Sequence, residues 1–211
     1  MNKRELLGLN KDEVNDLSFW VMVGVLIGSR VFHILFWDLS YYWNDPIKIL
    51  YFWQGGMAFH GGLVGAFIAG WIYCRKKKVN VWKVADILAI PTLIALALGR
   101  IANFINGELV GRVTNISWCV DFGDKLCRHP YQIYDALGRF AVAGLLLFWN
   151  KRKEGNLFLF MVLLLGIERF IVDFFKEDIL YYSLSVGQWM SLAMVIIAIV
   201  VLYKRNLFKK K

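Results

Sequence analysis

Arg100, Asn103 and Asn106 recur every third residue at the end of a long apolar run, and Glu108 and Gly111 follow directly. Arginine's planar fork suits bidentate, charge-assisted bonds to a phosphate, and asparagine adds neutral donors and acceptors. Gly107 and Gly111 allow a tight turn that can bring backbone N–H groups close to an anion. A capped helix end accounts for Asn106-Gly107, but not for an arginine buried three residues before Asn103. Further along, Arg169 and Asp173 stand at i and i+4, with Lys176 three residues on. They share a helix face and can pair. The spacing fits equally a guanidinium held inward by a carboxylate and a structural ion pair. His60 opens His60-Gly61-Gly62, and Gly61, Gly65 and Ala69 follow at the four-residue spacing of close helix packing. A lone histidine at a helix end is ordinarily structural unless partners surround it.

These residues sit where lipid should be. Each arginine at mid-bilayer costs about 2.5–3.5 kcal/mol on insertion scales. Arg30, His33, His60, Arg100, Arg139 and Arg169 all fall in the predicted outer halves of apolar segments. Snorkelling to the headgroups covers Arg30 or Arg139 alone. One interior site open to the outer leaflet covers all six. Its chemistry is recognition of an anionic headgroup, with a phospholipid as the obvious ligand.

The elements that must position these side chains are membrane helices. Hydrophobic types make up 58% of the 211 residues and the mean hydropathy is +0.50, above the 45–50% apolar content usual in soluble domains. Segments 18–37, 57–74, 84–104, 133–149, 157–175 and 184–203 each approach the roughly 20 apolar residues a spanning helix needs. The expected fold is an all-α polytopic transmembrane bundle of about six spans. It forms one membrane domain over 1–211, with an outer loop region at about 105–132. Asp12, Glu13 and Asp16 precede the first span, where acids suit a helix N-terminus. With the N-terminus inside, segments 1–17, 75–83, 150–156 and 204–211 carry 16 Lys and Arg, against 5 in 38–56, 105–132 and 176–183. That asymmetry puts the C-terminus in the cytoplasm. It also explains the net charge of +9 by topology and anionic lipid rather than by nucleic acid. Aromatics gather at the outer interface (Phe36, Trp37, Tyr41, Tyr42, Trp43, Tyr51, Phe52, Trp53), as a membrane belt does. No internal repeat of the transporter kind is visible. Cys119 and Cys127 share one polar loop and could pair if it faces an oxidising compartment. No CxxC spacing suggests a metal.

At the arginine–asparagine stretch the chain resembles the prolipoprotein diacylglyceryl transferase family. Gly99 to Gly111 reads GRIANFINGELVG, similar to that family's signature. Trp53 to Gly62 resembles its WQGGMSFHGG block, His129 to Asp135 its HPxQLYE block, Arg169 to Lys176 its RxxxEFFR block, and Ser185 to Gln188 its SMGQ block. The resemblance covers nearly the whole chain. It implies transfer of a diacylglyceryl group from phosphatidylglycerol to the lipobox cysteine thiol of a preprolipoprotein. A thioether forms and glycerol phosphate leaves, with no metal or other cofactor. It implies a multi-pass protein of the bacterial plasma (inner) membrane. It assigns His60, Arg100 and Arg169 to catalysis, with His60 as base or positioning residue for the thiol. Asn103, Asn106, Glu108, Gly111 and Asp173, with both arginines, then bind substrate. Asp135 and Asp173 stand where the family has Glu, one methylene shorter, and Lys176 replaces an Arg, losing the bidentate fork. Against the family's seven spans, Met1 aligns with the first cytoplasmic loop, so the expectation is a start placed downstream of a further span.

Two other readings stay open at this level. A lipid or anion transporter would also bury arginines, but it should show polar residues at the midplane and along a path inward. The inner halves of these segments are nearly free of charge. An inactive family member would bind phospholipid without turning it over.

Overall fold

The computed structural model describes residues 9–36, 38–51, 53, 55–148 and 154–207. Trp37, Phe52, Gln54, the basic residues at 3–4, 151–153 and 209–211, and the side chains of Phe59 and His60 lie outside the described residues. The chain divides into two compact units, Met1–Val84 and Ala85–Lys211.

In the first unit the helices are α1 (Lys11–Phe36), the short α2 (Leu39–Asn44) and α3 (Phe59–Lys76), with a 3-10 turn at Pro46–Leu50. Asn10 and Glu13 start α1 with a reciprocal capping box: Glu13 N–H donates to Asn10 Oδ1 at 2.8 Å, and Asn10 N–H to Glu13 Oε2 at 3.1 Å. Glycines hold α1 against α3. A Cβ on Gly24 would lie 2.5 Å from the Gly65 carbonyl oxygen and 2.7 Å from the Ala69 Cβ, and one on Gly28 would lie 2.8 Å from the Gly65 Cα. The small stripe Gly61-Gly65-Ala69 therefore meets a second stripe on α1, and only hydrogen side chains let the backbones come so close. At one end Leu17, Tyr73, Cys74 and Val84 form a buried cluster.

In the second unit are α4 (Val81–Ile105, which begins in the first), α5 (Tyr131–Leu147), α6 (Asn156–Val172) and α7 (Val186–Leu207). Ala89 and Leu93 of α4 pack with Val142, Ala143 and Leu146 of α5 and Leu157 and Met161 of α6. Asp86 looks misplaced in an apolar helix, but it caps α6, accepting from Gly155 N–H at 2.5 Å and Phe158 N–H at 2.8 Å. The 105–132 region holds a hairpin of β1 (Val120–Asp121) and β2 (Cys127–Arg128), paired antiparallel. Cys119 and Cys127 are joined by a disulfide, Cα atoms 5.3 Å apart. A second hairpin, β3 (Leu180–Tyr181) with β4 (Leu184–Ser185), leads into α7.

The fold is all-α apart from these hairpins. Among the described residues, α1, α4 and α7 are long and apolar enough to cross a membrane. The helices α5 and α6 have 17 residues each, about 26 Å at 1.5 Å per residue, slightly under a 30 Å hydrocarbon core. They also carry the charged residues described below. Large apolar side chains such as Phe19, Trp20, Ile27, Phe67 and Ile197 remain exposed, the surface of a membrane protein rather than a soluble one.

Candidate active site

The second unit gathers three arginines and three acids. Asp135, on the first turns of α5, is fully buried. Arg100 Nε on α4 lies 2.6 Å from its Oδ2, and Arg139 Nε, one turn further along α5, lies 2.6 Å from its Oδ1. In these two contacts the N–H groups are not aligned on the oxygens. The aligned hydrogen bond runs from Arg139 Nη2 to Asp135 Oδ2 at 3.0 Å, and Arg139 also donates to the Leu96 carbonyl at 3.0 Å. One carboxylate thus pairs with two guanidiniums in the interior, where a lone charge of either sign would be costly.

Beyond Arg100 the end of α4 runs into a polar turn. Arg100 Nη1 donates to Asn103 Oδ1 at 3.3 Å, and Asn103 Nδ2 donates to Glu108 Oε2 at 2.8 Å. The buried Gln132 of α5 clamps this turn by donating to the Glu108 carbonyl at 2.6 Å. Gly107 and Leu109 take positive φ, 68° and 54°, the conformation that makes glycine useful in this turn.

On α6, Arg169 is the least committed of the three arginines. Its side chain is 31% exposed, and Nε stands 3.9 Å from Asp173 Oδ2. Asp173 is buried in the 3-10 turn Asp173–Phe175 that ends α6. It accepts a 2.6 Å hydrogen bond from the Tyr131 hydroxyl. Lys176 pairs with Asp178 at 2.8 Å instead of Asp173, because the extended backbone at Lys176 leaves the helix face that i, i+3 spacing assumed. Glu168 sits against Gly138, where a Cβ would lie 2.8 Å from its Cδ, and neither of its oxygens has a hydrogen-bond partner.

The segments at 111–128 and 176–177 brace both halves of this cluster. Gly111 pairs with Lys176, and Val113 with Arg128. Arg128 is buried, its Nε 2.6 Å from Asp124 Oδ2 and its Nη1 2.5 Å from Glu177 Oε2 and 3.2 Å from the Gly111 carbonyl. The Arg128 guanidinium holds the Asp124 carboxyl below its ordinary value. The Ser185–Gln188 block is a capping box for α7: Ser185 N–H donates to Gln188 Oε1 at 2.9 Å and Gln188 N–H to Ser185 Oγ at 3.1 Å.

Of the residues expected from sequence, Arg100, Asn103, Glu108, Arg169 and Asp173 come together in the second unit. Asn106 is exposed and its side chain makes none of these bonds. Gly111 serves close packing rather than an anion-cradling turn: a Cβ there would lie 2.8 Å from the His129 Cβ and 2.9 Å from the Phe175 carbonyl oxygen. His60 lies on the first turn of α3, in the first unit. Arg30 is spent on structure. Its guanidinium donates to the carbonyls of Ile49 (3.0 Å), Gly55 (2.5 Å), Gly56 (3.1 Å), Lys48 (2.6 Å) and Tyr51 (3.3 Å), pinning the segment before α3. Its neighbour His33 pairs with Asp38 at 3.0 Å. Sequence reasoning misses Asp135, Tyr131 and Gln132 as site residues, and names Arg139 only among the six polar residues of one interior site. The i, i+4 spacing of Asp135 and Arg139 was the available signal. Among the described residues, no group of three or more His, Cys, Asp or Glu side chains is placed to hold a metal ion.

The family model of prolipoprotein diacylglyceryl transferase matches residues 1–204. The phosphatidylglycerol–prolipoprotein diacylglyceryl transferase of Idiomarina loihiensis is 39% identical over 209 residues, covering 92% of this chain and 77% of the relative. The enzyme of the same name from Geobacter sulfurreducens is 40% identical over 206 residues, 93% of this chain and 79% of its own. That from Ehrlichia canis is 38% identical over 202 residues, 89% and 77% respectively.

Proposed function

The chain belongs to the prolipoprotein diacylglyceryl transferase family, and we propose that the arginine cluster of its second unit is where the donor lipid's phosphate is held and released. The reaction is transfer of a diacylglyceryl group from phosphatidylglycerol to a prolipoprotein. The acceptor is the lipobox cysteine thiol. A carbon–sulfur bond forms at the glycerol carbon that bears the phosphate. The carbon–oxygen bond to the phosphate breaks, its electron pair stays on the phosphate oxygen, and glycerol phosphate departs. The thiol is nucleophilic as thiolate, and its proton goes to a base, a role that family resemblance gives to His60.

One observation carries the assignment: of the cluster's three arginines, Arg169 has a partly exposed side chain, with Nε 3.9 Å from its nearest carboxylate. It has donors to spare for an incoming phosphate. Arg100, oriented by Asp135 and Asn103, supplies a second fork. As charge builds on the departing phosphate, these fixed dipoles and charges stabilise it without reorganising. Asn103 and Glu108 shape the turn beside the headgroup, and Asp173 sets the reach of Arg169. The site serves the outer leaflet of a bacterial plasma membrane, with the C-terminus in the cytoplasm, an orientation supported by the 16-to-5 distribution of basic residues.

The test is transfer in detergent micelles from labelled phosphatidylglycerol to a lipobox peptide. Arg100→Ala and Arg169→Ala should each lower kcat by about 10²–10³, the usual cost of removing one preorganised donor from developing charge. Wild-type turnover in both variants would remove the cluster from the mechanism. Lipid binding without release of glycerol phosphate from the unaltered chain would leave a phospholipid-binding protein instead.

A further inference from the structure

Tyr131 opens α5 and is fully buried, yet no apolar requirement explains its hydroxyl. The O–H donates to Asp173 Oδ1 at 2.6 Å and lies 3.4 Å from Asp135 Oδ2. A continuous chain of polar contacts therefore runs from Arg100 through Asp135, Tyr131 and Asp173 to Arg169, across α4, α5 and α6.

The odd feature of that chain is its last step. A buried aspartate four residues from an arginine on a water-poor helix should close on it, since charge attraction strengthens as the dielectric falls and arginine favours two-pronged pairing. Here the gap is 3.9 Å and Asp173 Oδ2 has no hydrogen-bond partner. Two neighbours account for the orientation. The Tyr131 hydroxyl draws Oδ1 toward α5. Gly187, with no Cβ, gives Oδ2 room on the opposite side, where a side chain would collide with it.

We propose that Tyr131 is a positioning residue of the transfer reaction: by holding Asp173 through Oδ1, it keeps that carboxylate from sequestering Arg169 and leaves the guanidinium open to the lipid phosphate. The idea rests on the reading of Arg169 as a phosphate-binding residue. Tyr131 itself touches no substrate. Without its hydroxyl, Asp173 turns onto Arg169, and phosphate must compete with an internal anion.

The test compares the full chain with Tyr131→Phe, which removes one oxygen and keeps the ring. The expected result is a KM for phosphatidylglycerol raised about tenfold, the scale of losing a hydrogen bond to a charged group. A second readout is independent of turnover. An arginine-directed dicarbonyl, located by peptide mass spectrometry, should modify Arg169 more slowly in Tyr131→Phe than in the wild type. In an Asp173→Asn background the carboxylate that Tyr131 holds is gone, so adding Tyr131→Phe should leave that reactivity unchanged. This pair of variants keeps the proposal open to refutation even if Tyr131→Phe alone accumulates poorly. Equal KM and equal Arg169 reactivity in wild type and Tyr131→Phe, or a further fall in the Asp173→Asn background, would overturn the proposal. The premise is separately exposed: if Arg169→Ala binds phosphatidylglycerol like the wild type, the phosphate role of Arg169 fails, whatever Tyr131 does.

Discussion

Replacing Asp135 by Asn is the most demanding perturbation of this structure. The amide keeps the shape of the side chain and removes its charge. Asp135 is wholly buried and stands 2.6 Å from Arg100 Nε and 2.6 Å from Arg139 Nε, while Arg139 is itself 4% exposed. Losing one partner of a buried ion pair costs about 3–5 kcal/mol, because the remaining charge stays desolvated. Here two guanidiniums are left, and the other acid that acts on Arg139, Glu168, is on α6. For a chain of about 200 residues each kcal/mol moves Tm by about 2–4 °C, so the expected fall is about 6–20 °C. The assay is thermal unfolding of the detergent-solubilised protein, followed by intrinsic fluorescence, beside the transfer reaction at a temperature where both proteins stay folded. Adding Arg139→Met removes one stranded charge and should recover part of the lost Tm. It should not recover transfer, because Arg100 still lacks the acid that aims it. If Asp135→Asn melts within about 2 °C of the wild type and transfers at the same rate, the buried hub is not what holds these arginines, and the reasoning fails.

Two further perturbations test the frame around the site. Gly65→Ala should lower stability by about 1–3 kcal/mol through overpacking, since its new Cβ collides with the Gly24 carbonyl oxygen and meets the Gly28 Cα at 3.0 Å. Gly70→Ala on the same helix should be neutral or stabilising, because its Cβ meets only Val21 Cγ2 at 3.7 Å. Equal melting of the two variants would contradict the glycine contact between α1 and α3. In the loop region at 105–132, Asp124 has a lowered pKa in the folded state because Arg128 donates to it. Its contribution is therefore complete above the ordinary value of 3.8 and is lost as pH falls through the lower folded value. The difference in Tm between the wild type and Asp124→Asn should stay flat from about pH 8 to about pH 4 and shrink only below that. A transition near neutral pH would assign the loop's pH response to other groups.

The sequence by itself determined the class of the molecule and pointed to part of the polar cluster proposed as its site. Long apolar runs require helices in lipid, because unpaired backbone groups are not tolerated there, and the long helices overlap the segments hydropathy marks, α1 beginning earlier, at Lys11. Arg100, Asn103 and Glu108 were legible because their contacts lie within one helix end and its turn, so spacing along the chain is nearly spacing in space. Tertiary structure alone decided which charge answers which. Arg30 and Arg100 look alike in sequence, each an arginine in the second half of an apolar segment. One is saturated by loop carbonyls 18–26 residues away, the other held by an aspartate 35 residues away on a different helix. Glycine collisions between α1 and α3, the reach of a tyrosine hydroxyl to an aspartate on the next helix, and the separation of Arg169 from Asp173 depend on how helices rotate and approach. Periodicity records which face of a helix is apolar. It does not record what stands opposite that face, and compensation of buried charge is a property of what stands opposite.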